Sequence, residues 1–305
     1  DEPAKPPKAA ARPSPRPPLA ARPRQLSVTE IEHWLRDPYT IYAKHILKLQ
    51  PLDFVDTPPG AADRGTIIHN AIGDFAKAFA KQLPADALKE LIAFGKTHFE
   101  PYSAYEEARA FWWPRFERIA HWFAAFEIER RGTLQEIHAE IDGRWPIPFG
   151  NETFTLTTRA DRIEHLKDGR FLILDYKTGQ PPSSKQVQTG LSPQLTLEAA
   201  ILRKGGFKAI PAGGTIAKLV YVRLRGGDPA GEEEPVELKD GPPDQHADHA
   251  LAKLTELVAK FADPDVPYSS LVHPMWSTHY GTYDHLARVK EWSLTGGADG
   301  DGGGA

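Results

Sequence analysis

The run Phe171-Leu172-Ile173-Leu174-Asp175-Tyr176-Lys177-Thr178-Gly179, preceded by Thr158-Arg159-Ala160-Asp161-Arg162-Ile163-Glu164, decides how this chain is read. Four successive apolar residues, 171 to 174, read as a central strand buried on both faces. Side chains alternate along a strand, so Ile173, Asp175 and Lys177 share one face. The Asp168-Gly169 pair is a turn signal that lays the preceding strand alongside, which lets Asp161 approach Asp175. Two carboxylates converging without cysteine or histidine pairs form a hard oxygen site, suited to magnesium or manganese. A lysine beside them can orient or deprotonate an attacking water, or offset charge on a pentacovalent phosphate. The plain alternative is a surface ion pair between Asp175 and Lys177, worth about 0–1 kcal/mol. Against it stands the cost of ending a buried strand in two charged groups that are neither solvated nor functional.

Outward from this hairpin, strands are predicted at 134–142, 152–165 and 170–177, separated by Gly143, Gly150 and the Asp168-Gly169 turn. Upstream, Ser27 followed by Glu30 is a capping box, and Asp37-Pro38 supplies a second N-cap with proline at N1, so short helices fit 28–36 and 38–47. Ile68, Ile72, Phe75 and Phe79 place a helix around His69, and another is expected from about 85 to 99. A long aromatic helix spans about 104 to 131, with Trp112, Phe116, Ile119, Phe123 and Phe126 as a core stripe and Pro114 as a kink or a late start. Downstream, a helix at 192–204, a strand at 215–224 and a helix at 246–262 complete a mixed α/β sheet flanked by helices, with a helical cap and no internal repeat.

Composition bounds the function. The 305 residues carry a net charge of −4 and 26% charged residues, ordinary values for a globular protein. That charge argues against unaided tight nucleic-acid binding. It does not argue against an enzyme with acidic metal ligands that receives its strand from a neighbouring module. Zero cysteines exclude disulfide scaffolds, zinc fingers, iron–sulfur clusters and thiol nucleophiles. No apolar run approaches the ~20 residues of a membrane span and no signal peptide begins the chain, so a cytoplasmic protein without membrane contact is expected. Met275 is the single methionine, and the chain reads as a piece of something longer. Residues 1–25, with eight prolines and six basic residues, are expected to be a disordered, solvated tether or a DNA-contacting arm. A single domain is expected over 26–292, then a flexible glycine-rich tail over 293–305.

The order of His69 on a helix, Ala160-Asp161-Arg162-Ile163, Asp175-Tyr176-Lys177-Thr178-Gly179 and Gln194 on the next helix resembles the RecB-type branch of the PD-(D/E)XK nucleases. Residues 27–49, "SVTEIEHWLRDPYTIYAKHILKL", and 280–292, "YGTYDHLARVKEW", resemble the C-terminal nuclease domain of AddB subunits of bacterial, particularly alphaproteobacterial, AddAB helicase-nucleases. The likeness implies the restriction-endonuclease-like fold over roughly residues 26 to 292. It also implies that His69, Asp161, Asp175 and the Tyr176 carbonyl bind Mg2+ or Mn2+, with Lys177 as the catalytic lysine. Gln194, Arg162 and Thr178 would support the site or meet DNA. The implied activity is exonucleolytic hydrolysis of unwound single strands, the 5′-terminated one in particular, during double-strand-break repair by homologous recombination. The implied partners are DNA, an AddA helicase-nuclease subunit in a heterodimer, and the rest of an AddB chain N-terminal to this segment. A second reading keeps the fold as a non-catalytic module that guides DNA or docks a subunit; the intact Asp161–Asp175–Lys177 set speaks against it.

Three departures from the family pattern carry expectations. Glu198 stands where the family commonly has tyrosine, which leaves the role of its helix open. Thr158 and Glu164 replace the usual glycine and aspartate around the second motif. Many relatives bracket the domain with four cysteines on an iron–sulfur cluster, but here Asp37 precedes Pro38 and no cysteine exists. Packing and hydrogen bonding must then pin the N-terminal helices to the C-terminal segment, with Trp276, Tyr280, Tyr283 and Trp292 as contributors. Glu140 could approach the site or be a solvated strand glutamate. Glu232-Glu233-Glu234 reads as a solvated loop. Gly213-Gly214 lacks phosphate-loop spacing, and Asp284-His285 has no serine context.

Overall fold

In the computed structural model, residues 10–51, 58–272 and 281–295 are described. A six-stranded mixed sheet forms the centre, built from β1 (Gln25–Ser27), β2 (Leu134–Phe149), β3 (Glu152–Leu166), β4 (Phe171–Lys177), β5 (Ile216–Leu224) and β6 (Gly231–Pro235). The order is β1-β3-β4-β5-β6, with β2 on the other edge of β3. β3 is antiparallel to β2 and β4, β4 is parallel to β5, and β1 runs parallel to β3 at Thr155–Thr157. The mixed α/β architecture expected from the chain is the one observed.

Each face of β4 feeds a separate core. Phe171 and Ile173 pack with α1 (Val28–Arg36), α7 (Gln194–Lys204) and α8 (Pro243–Lys260) through Ile31, Trp34, Leu197 and Leu254. Leu172, Leu174 and Tyr176 pack with α3 (Ala61–Ala78), α4 (Ala87–Phe99) and α5 (Trp113–Arg131) through Ile68, Phe75, Leu91 and Phe123. This two-sided burial is what an unbroken apolar run requires. The predicted aromatic stripe is buried as core, and α5 starts late, with Pro114 in its first turn after a π-helical turn at Ala108–Trp112.

Several expectations change. Strand β2 does not end at Gly143; it continues to Phe149. Glycine is kept there because a Cβ would collide with the ring of Phe207, which bridges to Gly143. Glu232–Glu234 is not a loop but edge strand β6, where the carboxylates of Glu232, Glu233 and Glu234 pair with Arg225, Arg130 and Arg223. Residues 10–25 keep most side chains exposed and turn once at Leu19–Ala21, but they are docked and not a free tether. The backbone N–H groups of Tyr268 and Ser270 donate to Pro15 and Pro13 at 2.8 and 3.2 Å. Arg22, only 5% exposed, donates to the carbonyls of Phe261, Asp263, Pro264 and Val266.

The two chain ends do meet through packing. Tyr283, Ala287 and Val289 cluster with Tyr39 and Ala43, and Trp292 packs against them. The Tyr283 hydroxyl donates to the Leu49 carbonyl at 2.7 Å, and Asp37 accepts the Leu271 N–H at 2.9 Å. Trp276 and Tyr280 lie outside the described residues, as does most of the glycine-rich tail. Among the described residues, no helix is long and apolar enough to cross a membrane.

Candidate active site

β3 and β4 pair from His165↔Phe171 to Arg162↔Leu174 and then part, while β4 continues to Lys177 beside β5. At the parting, the Tyr176 N–H donates to Asp161 Oδ2 at 2.8 Å instead of to a strand carbonyl. The split leaves Asp161 and Asp175 at the mouth of the sheet. Helix α3 covers one side of this mouth and α7 the other.

On the α3 side, His69 Nε2 lies 3.0 Å from Asp161 Oδ2. Its pKa is raised, first by the hydrogen bond to Asp161, against the opposing effect of burial. Glu140 of β2 joins them: one ligand atom from each of His69, Glu140 and Asp161 falls within 4.8 Å of the others. Glu140 has φ of 52°, a left-handed backbone that costs a non-glycine residue about 1–2 kcal/mol. Its Oε2 pairs with Arg159 at 2.8 Å, whereas Oε1 is buried without a hydrogen-bond partner. Helix α3 admits this arrangement through Gly65, His69 and Gly73, four residues apart on one face. A Cβ on Gly73 would lie 2.5 Å from Glu140 Oε1, and one on Gly65 would lie 2.8 Å from Thr178 Oγ1.

On the α7 side, Lys177 Nζ is 2.7 Å from Asp175 Oδ2, an ion pair out of hydrogen-bond alignment, since that oxygen has no aligned donor. Gln194 donates to Asp175 Oδ1 at 2.6 Å. Burial, then repulsion from Asp161, pushes the Asp175 carboxyl up to about 6. Burial alone would depress Lys177, but the charge of Asp175 beside it dominates and raises it. Glu198 is fully buried, accepts from Thr158 Oγ1 at 2.9 Å, and is held well above the usual carboxylate range by burial and by Asp175 and Asp161. Placed so, Glu198 lies beneath Gln194, whose amide N–H reaches its Oε1 at 3.5 Å, and meets no solvent-borne strand.

The structure therefore brings His69, Asp161, Asp175, Tyr176, Lys177, Gln194 and Thr178 to one end of the sheet. It divides them, however: His69 and Asp161 group with Glu140, while Asp175 is turned to Lys177 and Gln194. Of the two roles expected for Arg162, burial removes the DNA contact and leaves support of the site. Arg162 is 0% exposed and faces the opposite core, bound to Glu127, to Glu164 at 2.7 Å and to the Tyr176 hydroxyl at 3.4 Å. On a strand, neighbours point to opposite faces, and Asp161 holds the mouth while Arg162 anchors the sheet to α5. Glu140 corrects the reading as a solvated strand glutamate; its alternation in β2 was visible, but its left-handed backbone was not.

The donor set fits a divalent cation. Asp161, Asp175, Glu140 and Glu198 crowd one mouth against Lys177 and Arg159, three of these carboxylates (Glu140, Asp175 and Glu198) have an oxygen with no aligned donor, and the ligand atoms are oxygen and imidazole nitrogen. A cavity of about 360 Å³ opens onto it, lined by the first turn of α3, His69, Lys177 and Thr178. A helix N-terminus favours an anion there. The larger cavity between α4 and the start of α5, about 550 Å³, contains none of these residues.

The profile of the PD-(D/E)XK nuclease superfamily matches residues 25–273. An uncharacterized protein of Rickettsia bellii is 29% identical over 276 residues, 87% of this chain and 32% of its own. Uncharacterized proteins of Rickettsia conorii and Rickettsia typhi are 34% and 35% identical over 61% of this chain. The chain spans about a third or less of the length of these relatives. The solved structure "Crystal structure of SSO0001" aligns at 11% identity with 85% of this chain and 95% of its own, with a TM-score of 0.31. With the profile covering all six strands and both halves of the site, the chain belongs to the PD-(D/E)XK nuclease superfamily.

Proposed function

We propose that this chain is the metal-dependent deoxyribonuclease domain of a larger helicase-nuclease, hydrolysing phosphodiester bonds in single strands that a motor delivers. The observation that carries the reading is the convergence of Asp161, Asp175 and Lys177 at the parting of β3 and β4. His69, Asp161 and Asp175, with the Tyr176 carbonyl, would hold Mg2+ or Mn2+, and Glu140 stands within reach of the same ion. When bound, such an ion polarises the phosphoryl oxygen and acidifies a bound water. Lys177 would orient the attacking water or take its proton, or offset charge on the phosphorane. Gln194 fixes the Asp175 carboxylate by its 2.6 Å hydrogen bond, and Tyr176 fixes Asp161 through its N–H.

The likeness to AddB subunits supports the finer reading: exonucleolytic action on the 5′-terminated strand in recombinational break repair, within a heterodimer with an AddA subunit, in the bacterial cytoplasm. The test is cleavage of end-labelled single-stranded DNA at low salt with Mg2+ or Mn2+, comparing wild type with Asp175→Ala and Lys177→Ala. Cutting by wild type alone, abolished by chelation, is the expected result. Equal inertness of all three with DNA demonstrably bound overturns the catalytic reading in favour of a DNA-guiding module.

A further inference from the structure

Beside the active-site cavity, and sharing Thr178 and Gly179 with it, lies a second cavity of about 540 Å³. Arg64 of α3, Arg115 and Arg118 of α5, and Arg223 and Arg225 from the end of β5 line it. In a chain of net charge −4, this gathering of five guanidinium groups on one groove is against the average. Two of them are neutralised: Arg223 and Arg225 pair with Glu234 and Glu232. Arg118 donates to the Gly226 carbonyl at 2.6 Å. Arg64, Arg115 and Arg118 have no carboxylate partner among the described residues. Their mutual repulsion is felt, since burial and then the charges of Arg64 and Arg118 lower the Arg115 pKa.

Like charges that are held together and unpaired need a polyanion. The chemistry of the rim narrows the choice. Phe111, on the turn just before α5, is 71% exposed over this groove, an expensive placement for a phenyl ring that covers nothing. Unpaired cations sharing a groove with an exposed aromatic ring are the pattern of single-stranded nucleic-acid binding. An acidic peptide would use the arginines but gives the ring no planar partner. Gly227 and Gly179 leave the floor open, with nothing within 4 Å of a Cβ at either.

We propose that this groove is the strand track of the enzyme: Arg64 and Arg115 hold backbone phosphates, Phe111 stacks a base, and the strand passes over Thr178-Gly179 to the scissile position at Lys177. The proposal rests on the nuclease reading for its destination but not for its ligand. Its test is fluorescence anisotropy of a labelled oligo-dT with the full chain in EDTA, where no cutting occurs, titrated with salt. For Arg64→Gln/Arg115→Gln, removal of two phosphate contacts lowers the salt slope by about 1.4 and weakens binding about tenfold or more at low salt. Phe111→Ala weakens it about fivefold or more, and Phe111→Trp restores it. Arg64→Lys/Arg115→Lys keeps the slope, and unchanged melting temperatures show that folding is intact.

Wild-type affinity and slope in folded Gln and Ala variants overturn the track. So does poly-glutamate competing as well as oligo-dT of equal charge, which assigns the groove to an acidic polypeptide. The two readings fail separately. Binding that depends on Arg64, Arg115 and Phe111, without cleavage by wild type, refutes the nuclease and keeps the track. Cleavage that ignores these residues does the reverse.

Discussion

Gly73→Ala separates the stability of the fold from the assembly of the site. In a helix interior, alanine is favoured over glycine by about 0.8–1 kcal/mol. Here the new Cβ would lie 2.5 Å from Glu140 Oε1, 3.1 Å from Cδ and 3.3 Å from Cγ. Carbon contacts relax at about 3.5–4.0 Å, so the carboxylate must withdraw by roughly 1 Å. It is the far end of a flexible side chain, and Arg159, paired to Oε2 and half exposed, draws it outward. The displacement costs about 0.5–1.5 kcal/mol of rotamer strain, which the helix gain largely cancels. The melting temperature of the metal-free protein should therefore stay within about 3 °C of wild type. Removing Glu140 from its place beside His69 and Asp161 should weaken Mn2+ binding about tenfold, the lower end of what displaced supporting groups cost metal sites. Calorimetric titration with Mn2+ gives the affinity. A metal-induced stabilisation smaller by about 1.4 kcal/mol is the thermal counterpart. A folded Gly73→Ala protein with wild-type Mn2+ affinity refutes the place of Glu140 at the cation. A loss of more than about 3 kcal/mol of stability refutes the claim that Glu140 can yield.

Three further outcomes follow from the same geometry. Asp175 has its folded pKa raised to about 6 from 3.8, so its contribution to stability is fully present below about pH 4 and is lost as pH rises through 6. The loss is on the order of 3 kcal/mol when complete. Asp175→Asn should flatten that decline in urea titrations in EDTA between pH 4 and 7.5; superimposable wild-type and Asn curves would contradict it. Arg162→Ala leaves the buried Glu127 and Glu164 without their shared partner and should cost about 3–5 kcal/mol in urea, with the surviving folded fraction retaining metal binding. Asp37→Ala removes the acceptor of the Leu271 N–H and of Thr40 Oγ1, and should cost about 1–3 kcal/mol and speed proteolysis near residues 281–295, whereas Asp37→Asn keeps most of both. Equal digestion of the three proteins would show that the chain ends are joined elsewhere.

What could be read from the chain, and what could not, divides along one physical line. Periodicity is local, and so the helix of His69, the aromatic core stripe and the Phe171–Lys177 strand were all legible, as was the approach of Asp161 to Asp175 across the turn at Asp168-Gly169. Glu140 was visible as a candidate but not decidable, because its place depends on a left-handed backbone and on a glycine of a distant helix. Whether Arg162 meets DNA or supports the site was undecidable for a related reason. Charge alone does not say which face of β3 a residue takes, and the buried Glu127 that claims it lies 35 residues earlier. The docked proline-rich segment reversed a compositional rule: Arg22 finds four carbonyls of the 261–266 loop, a demand of backbone polarity no sequence statistic reports.

The same line explains why the arginine groove was invisible. Its members come from α3, α5 and the end of β5, and only the pairs Arg115/Arg118 and Arg223/Arg225 are neighbours in sequence; the meeting of the three segments is not a local pattern. In three dimensions the Glu232-Glu233-Glu234 run, which looked like a solvated loop, lies opposite Arg223 and Arg225 as the edge strand and removes their charge from the groove. Arg64 and Arg115 are left as cations whose only unsatisfied demand is for an anion that the chain does not itself supply. The carboxylate mouth has the opposite deficit, four acids with too few cations. The two surfaces meet at Thr178-Gly179. A phosphate backbone with a divalent ion at one position satisfies both at once, and neither a free cation nor a free strand does so alone. Each deficit is thus a reason to expect the other's ligand, and the affinity for DNA should rise with a non-cleaving divalent ion such as Ca2+ in wild type but not in Asp161→Ala.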